Sequence, residues 1–195
     1  MPAPNPAALD FLLTRRSRPA KTLGLPVPDR DELCTLLTAA ARTPDHGKLE
    51  PWRFIVLDRR ALEALAERIG ERGEALGTDP EKLAKDLDTY GKANLVVAVV
   101  AAPKASEKIP AIEQTLSAGA VCLSLLNAAL AAGWGANWLS GWMAYDEEIT
   151  GWLGLAGGES IAGFVHLGSE SSEPPERPRP DIDAITTWFV PGSPA

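Results

Sequence analysis

A compact group of basic and hydroxyl side chains near the start of the chain could bind an anionic ligand. Residues 15–18 read RRSR, so three arginines and one serine fall within four positions. The guanidinium group of arginine matches the geometry of a phosphate and can form two parallel hydrogen bonds with it. These residues are therefore a candidate phosphate site. The alternative is that they only complement the dipole at the C-terminal end of the preceding helix.

A second polar stretch, residues 42–54, reads RTPDHGKLEPWRF and lies between an amphipathic segment and an apolar one. Five charged or titratable side chains precede its Pro-Trp pair, together with prolines and a glycine that fix or permit unusual backbone angles. A turn of this kind, between a helix and a strand, could carry ligand-binding groups on a rigid scaffold. A solvated turn without a ligand is the alternative.

The sequence contains no motif for chemistry by the protein's own side chains. It has neither a phosphate-binding glycine loop nor a Gly-X-Ser-X-Gly nucleophile elbow. Its histidines and cysteines, His46, His166, Cys34 and Cys122, have no spacing typical of zinc ligands, so we predict no metal site. We interpret His166, inside an apolar segment, as a structural histidine with a hydrogen-bond partner. A bound cofactor would then perform the chemistry, and we assign no catalytic side chain.

Composition limits the classes of protein to which the chain can belong. It has 195 residues, 45% of them hydrophobic, which is enough for one well-buried domain over residues 1–195. The net charge of -7 argues against binding to nucleic acid or to an anionic membrane surface. Two cysteines in apolar helical segments and no signal peptide predict reduced thiols and a cytoplasmic location.

Apolar periodicity and turn residues predict an alternation of helices and strands. The predicted helices are 6–14, 29–41, 60–76, 79–90, 109–132 and 146–153, and the predicted strands are 52–57, 94–102 and 160–167. The charged helix 79–90 is expected to be a solvated surface element or a mobile lid. The valine-rich run 94–102 is expected to be buried on both faces.

The longest predicted helix, 109–132, carries no charge from Leu116 onward. Its length would allow it to span a bilayer. Asn127, two serines and many small residues favour a helix buried in the core or at a subunit interface instead.

Two segments near the end of the chain could also contribute to a binding site. Residues 133–142, GWGANWLSGW, combine glycines with tryptophans that could form the wall of a pocket for a planar ligand. A turn followed by an edge strand with surface tryptophans would give the same sequence pattern. The proline-rich tail, 171–195, ends in an apolar group that includes Trp188 and Phe189. We predict that this tail packs on a partner subunit.

Seven motifs occur in an order that resembles the nitroreductase family of FMN-dependent oxidoreductases. They are residues 15–17, 42–46, 51–54, the alanine-rich helix, 133–140, 163–168 and the Arg-Pro-Arg-Pro of 177–180. The chain looks most like a small branch of the family, in which a Pro-Asp-His turn replaces the usual Pro-Ser turn. The resemblance implies an α+β fold with a mostly antiparallel sheet flanked by helices, and an intertwined homodimer.

The resemblance also implies a cofactor and its contacts. FMN would lie at the dimer interface, with its phosphate and ribityl end held by Arg15, Arg16 and Ser17. The tail residues Arg177 and Arg179 match a basic pair that approaches the same phosphate. The other implied contacts are Arg42 and His46, from the same or the neighbouring subunit, and Trp138, Leu139 and Ser140 along the flavin ring.

The implied activity is NAD(P)H-dependent reduction of nitroaromatics, quinones or similar small electron acceptors through the flavin. NAD(P)H would be the co-substrate, and direct hydride transfer would explain why no protein nucleophile is present. An alternative is a protein that binds or delivers FMN with little turnover. The residues do not separate these two functions, because both need the same pocket.

Overall fold

The computed structural model describes residues 3–191, and its centre is a five-stranded antiparallel sheet. The strands are β1 (Leu23–Gly24), β2 (Trp52–Asp58), β3 (Leu95–Ala101), β4 (Gly135–Leu139) and β5 (Ser160–Glu170). β5 is the longest strand and pairs with β1, β3 and β4, while β3 also pairs with β2. This arrangement confirms the predicted α+β fold with a mostly antiparallel sheet.

Helices cover both faces of the sheet. They are α1 (Pro6–Thr14), α2 (Arg30–Ala40), α3 (Arg59–Ala75), α4 (Pro80–Gly91), α5 (Ala111–Ala131), α6 (Glu147–Trp152) and α7 (Ile182–Ile185). α2 and α5 contribute to one apolar core, and α3, α4 and α6 contribute to the other. β3 is completely buried between these two cores, as its uninterrupted run of apolar residues predicts.

α5 is the central helix of the first core, and its side chains also hold the 42–50 turn in place. Among the described residues it is the one helix long and apolar enough to cross a membrane. Seven of its residues are buried, among them Val121 and Leu125, which pack with residues of α2 and the sheet. This packing corresponds to the predicted core helix.

α4 is a surface helix, as the solvated alternative predicts: its outer face is exposed, while Leu83 and Tyr90 bury its inner face against α3. The expectation for His166 was wrong in one respect. His166 does lie inside β5 and is 2% exposed, but neither ring nitrogen has a hydrogen-bond partner among residues 3–191. Its ring instead packs against that of Tyr90, with 5.3 Å between the ring centroids. Burial accordingly lowers the pKa of His166 to about 4 and keeps the imidazole neutral.

Large apolar side chains are exposed on α1, on α5 and in the tail, among other places. Within the described chain, α1 buries none of its residues, and Leu13 is 73% exposed. α5 exposes a stripe on the side away from the sheet, formed by Ile112, Leu116 and Leu123. Trp188 in the tail is 84% exposed. Exposed apolar side chains on these elements are candidates for a surface that associates with another molecule.

Candidate functional site

The arginine-rich segment 15–18 is held in place by the backbone of β4. α1 ends at Arg15, and the chain continues in an extended conformation. The Arg18 amide donates to the Ala136 carbonyl at 2.8 Å, and the side-chain amide of Asn137 donates to the Arg18 carbonyl. The guanidinium groups of Arg15 and Arg16 are therefore presented beside a rigid strand.

Four arginines from two distant parts of the chain surround one cavity of about 420 Å³. The tail after β5 returns along the 15–18 segment and brings Arg177 and Arg179 next to Arg15 and Arg16. The full lining is Arg15, Arg16, Ser17, Pro19, Asn137, Arg177 and Arg179. A neighbouring cavity of about 410 Å³ shares Arg15 and Arg16 and extends under α1.

The positive charge of this arginine cluster is only partly compensated within the described residues, by the Glu176 carboxylate beside Arg179. Burial and the nearby charges of Arg179, Arg16 and Arg177 lower the pKa of Arg15. The Nε atoms of Arg15 and Arg16 are buried and have no hydrogen-bond partner within residues 3–191. Two contacts are satisfied: Arg15 donates through Nη2 to Ser17 Oγ at 3.0 Å, and Arg179 pairs with Glu176 at 2.8 Å. Converging cations with unused donors fit a dianionic phosphate.

Arg18 has a different role from its neighbours. Its side chain is 17% exposed and forms an ion pair with Glu170 at the end of β5. Glu173 lies 4.0 Å from the same guanidinium group. The Arg18 side chain therefore links the 15–18 segment to β5, and Glu170 compensates its charge.

The C-terminal end of β4 continues from the arginine cavity toward the predicted ring site. Asn137 lines the cavity, and Trp138, Leu139 and Ser140 follow it directly. The Trp138 ring lies on Gly163 of β5, where an added Cβ would overlap the indole. Gly163 therefore allows this ring to lie against the sheet, with 38% of the residue left exposed.

The 42–50 turn is tied to α5 by hydrogen bonds. Thr43 Oγ1 lies 2.9 Å from Ser124 Oγ, and Ser117 Oγ donates to the Pro44 carbonyl at 2.6 Å. Gly47, Lys48 and Glu50 all have positive φ angles, which make the turn compact. The segment is therefore a helix-to-strand turn, as predicted, and its hydrogen bonds to α5 fix the position of the turn.

His46 projects from this turn onto α5, where Nδ1 lies 2.7 Å from Glu113 Oε2. Both side chains line a cavity of about 520 Å³ that is bounded by the exposed stripe of α5 at Leu116 and Ala120. Arg42 is exposed at the end of α2. Neither Arg42 nor His46 lines the arginine cavity of the same chain.

Arg53, in the Pro-Trp-Arg-Phe motif, has a structural partner. It donates to both carboxylate oxygens of Glu159, at 2.8 Å and 2.6 Å, and to the Gly154 carbonyl. The hydrogen bonds from Arg53 lower the pKa of Glu159 to about 2. This bidentate pair joins β2 to the loop before β5.

The structure thus brings five of the ten predicted site residues around one cavity and places the other five at the end of β4 and in the 42–50 turn. Sequence reasoning missed Asn137 and Glu113. Asn137 was the one polar side chain between Trp134 and Trp138, which was a usable signal. Glu113 lies 67 positions from His46 and gave no signal of its own.

Comparisons with known proteins agree with this architecture. The model of the Nitroreductase family matches residues 14–169. The chain is 32% identical to Putative NAD(P)H nitroreductase YdjA from Escherichia coli strain K12 over 184 residues, which is 94% of each protein. It is 33% identical to a protein of Haemophilus influenzae named Putative NAD(P)H nitroreductase, over 83% of this chain and 88% of the relative.

Solved structures share the fold over nearly their whole length. A nitroreductase-like family protein from Bacillus cereus has a TM-score of 0.79 at 21% identity, covering 97% of this chain and 98% of the other. A nitroreductase with bound FMN from Bacteroides fragilis has a TM-score of 0.72 at 22% identity, covering 93% and 98%. The sequence matches and the shared fold have one explanation: the chain belongs to the Nitroreductase family.

Proposed function

We propose that this protein is an FMN-dependent NAD(P)H oxidoreductase that reduces nitroaromatics, quinones or similar small electron acceptors. The observation that carries the proposal is the cluster of four arginines around one cavity, with buried donors that have no partner within residues 3–191. Family membership, relatives named as NAD(P)H nitroreductases and a neighbour with bound FMN support it.

The arginine cavity would hold the phosphate and ribityl end of FMN. Arg15 and Arg16 would donate their unused guanidinium hydrogens to phosphate oxygens, and Ser17 would add a hydroxyl donor. Arg177 and Arg179 would approach the same phosphate from the tail. Two negative charges would cancel much of the repulsion among the four guanidinium groups, which gives cofactor binding its electrostatic driving force.

The end of β4 would hold the ring of the cofactor. Trp138 would form a wall, and the backbone of Leu139 and Ser140 would run along the ring edge. When bound, FMN would supply the group that accepts a hydride from NAD(P)H and passes it to the acceptor. The chain's own residues would bind and orient it, consistent with the prediction that no side chain is catalytic.

We further propose a homodimer in the cytoplasm with the cofactor at the interface. The exposed apolar residues of α1 and α5 and the tail around Trp188 would be covered by the second subunit. The last four residues of the predicted tail, 192–195, lie outside the described residues. Arg42 and His46, which do not line the arginine cavity of their own chain, would reach the partner's cofactor.

The first experiment is the visible absorption spectrum of the purified protein, followed by titration with FMN. A flavin spectrum, or stoichiometric uptake of added FMN, is expected. A colourless protein that does not bind FMN would refute the cofactor assignment.

A second measurement separates the enzyme from an FMN-binding or FMN-delivery protein. The loaded protein is mixed with NADPH or NADH and a quinone or nitro compound, and NAD(P)H oxidation is followed at steady state. Catalytic oxidation over many turnovers supports the enzyme. A single reduction of the bound flavin without turnover supports the binding protein.

A further inference from the structure

The His46–Glu113 contact joins the 42–50 turn to α5 at a cavity that the described chain leaves open to solvent. His46 Nδ1 lies 2.7 Å from Glu113 Oε2, which is the distance of a strong charge-assisted hydrogen bond. The His46 side chain is 63% exposed and that of Glu113 is 46% exposed. Both therefore lie on a surface that a second molecule can reach.

The turn that carries His46 is held firmly, so the contact is not the chance meeting of two mobile side chains. The Glu50 amide donates to Asp45 Oδ2 at 2.6 Å, which closes the turn around His46. Ser117, one helical turn after Glu113, donates to the Pro44 carbonyl. Imidazole and carboxylate are thus brought together by a backbone fixed on both sides.

We propose that Glu113 is a positioning residue that fixes the orientation and tautomer of His46 for contact with the cofactor. An ionised carboxylate can only accept a hydrogen bond, so Nδ1 of His46 must carry the proton that faces it. Nε2, on the opposite side of the ring, becomes the nitrogen that faces a ligand. The inference rests on the proposed function, in which His46 reaches the partner's FMN.

The charges around His46 favour the same result. The charged side chains that line its cavity are Asp45 and Glu113, both acidic, and the rest of the lining is Pro44, Leu116, Ser117 and Ala120. With the proton on Nδ1, Nε2 is left to accept a hydrogen bond from an N–H or O–H group of the cofactor.

The tautomer can be read directly by NMR, because the chain has only two histidines and the other, His166, is buried. The ¹⁵N shifts of His46, assigned with His46→Gln, should report a protonated Nδ1 in the protein before any cofactor is added. Glu113→Gln keeps the shape of the side chain but removes its charge, and it should remove the preference of His46 for the tautomer with the proton on Nδ1. Glu107→Gln, an exposed glutamate in the loop before α5, is the matched control and should leave the shifts unchanged.

A double-mutant cycle on FMN affinity tests the role in positioning. Glu113→Gln should raise the FMN dissociation constant about 3- to 10-fold in the wild-type background, as expected for loss of a group acting through a ligand. It should have no further effect in the His46→Gln background, because the residue that it positions is already gone. A helix or turn that merely loses stability would weaken binding in both backgrounds.

The outcomes are distinguishable from failure of the proposed function. If wild-type protein binds no FMN, the proposed function fails and the tautomer measurement still decides the His46–Glu113 contact. If FMN binds and Glu113→Gln weakens it equally with and without His46, or does not weaken it at all, the positioning role is wrong. If the wild-type protein instead has His46 protonated on Nε2 and unprotonated on Nδ1, the hydrogen bond between His46 and Glu113 does not exist as proposed.

Discussion

Arg16→Ala is the most direct test of the arginine cavity, because it should have opposite effects on cofactor binding and on the stability of the cofactor-free protein. The Arg16 guanidinium group is half-buried beside Arg15, and its Nε has no partner within the described residues. In the proposed complex this group would make a charge-assisted hydrogen bond to phosphate. Its loss should weaken FMN binding by about 1–3 kcal/mol, a roughly 5- to 150-fold rise in Kd.

Without cofactor the sign reverses. Burial, Arg179 and Arg16 together lower the pKa of Arg15, so removing Arg16 relieves part of this repulsion and gives up only its attraction to the exposed Glu176 carboxylate. The free energy of unfolding of the cofactor-free variant, measured in urea, should be unchanged or higher. A residue that served only to complement the end of α1 would behave in the opposite way, because its removal would destabilise the helix.

Arg18→Ala is the matched control. Arg18 is already paired with Glu170, so its loss should cost about 1–2 kcal/mol of stability and have the smaller effect on FMN affinity. FMN affinity is measured by fluorescence titration for both variants. An Arg16→Ala protein with unchanged FMN affinity and reduced stability would assign Arg16 to the helix end and remove it from the site.

Three further outcomes are expected. Gly163→Ala should displace the Trp138 ring, cost about 1–3 kcal/mol through overpacking, and shift tryptophan emission in a way that Trp138→Phe abolishes. Because burial lowers the pKa of His166 to about 4, the unfolded state binds the proton first as pH falls, and stability should drop by about 3 kcal/mol between pH 6.5 and 4. His166→Phe should lose that part of the pH dependence in urea unfolding, and His46→Gln should keep it. Deleting residues from Pro174 onward should loosen the dimer and weaken FMN binding together, as measured by light scattering and titration.

Elements with a strong local pattern could be predicted from the sequence. The valine run of β3 and the long apolar helix α5 both formed at nearly the expected bounds, because such runs gain enough from burial to override other preferences. α4 shows where this reasoning is insufficient. Its apolar positions lie among charged residues, and only the presence of α3 reveals that Leu83 and Tyr90 are buried and Leu87 is partly buried.

In the candidate site, too, some features could be predicted from the local sequence and others depend on the fold. Arg15 and Arg16 are recognisable from composition alone, because three arginines within four positions are unusual in an acidic chain. Their proximity to Arg177 and Arg179 depends on the path of the tail and could be expected only from the family resemblance. That His166 has no partner in the described part of the chain could not be predicted either, since a buried histidine normally finds a hydrogen-bond partner.

The tail connects cofactor binding with dimer formation. It contributes Arg177 and Arg179 to the arginine cavity, and a few residues later it exposes Trp188 and Phe189, which need a second surface to cover them. If phosphate fixes the arginines, less conformational entropy remains to be lost when the apolar end docks on the partner. Linkage requires the effect to be reciprocal, so FMN should tighten the dimer by the same factor by which dimerisation tightens FMN binding. Light scattering over a dilution series with and without FMN measures that factor. Equal dissociation constants for the dimer in both series would show that the two functions of the tail are independent.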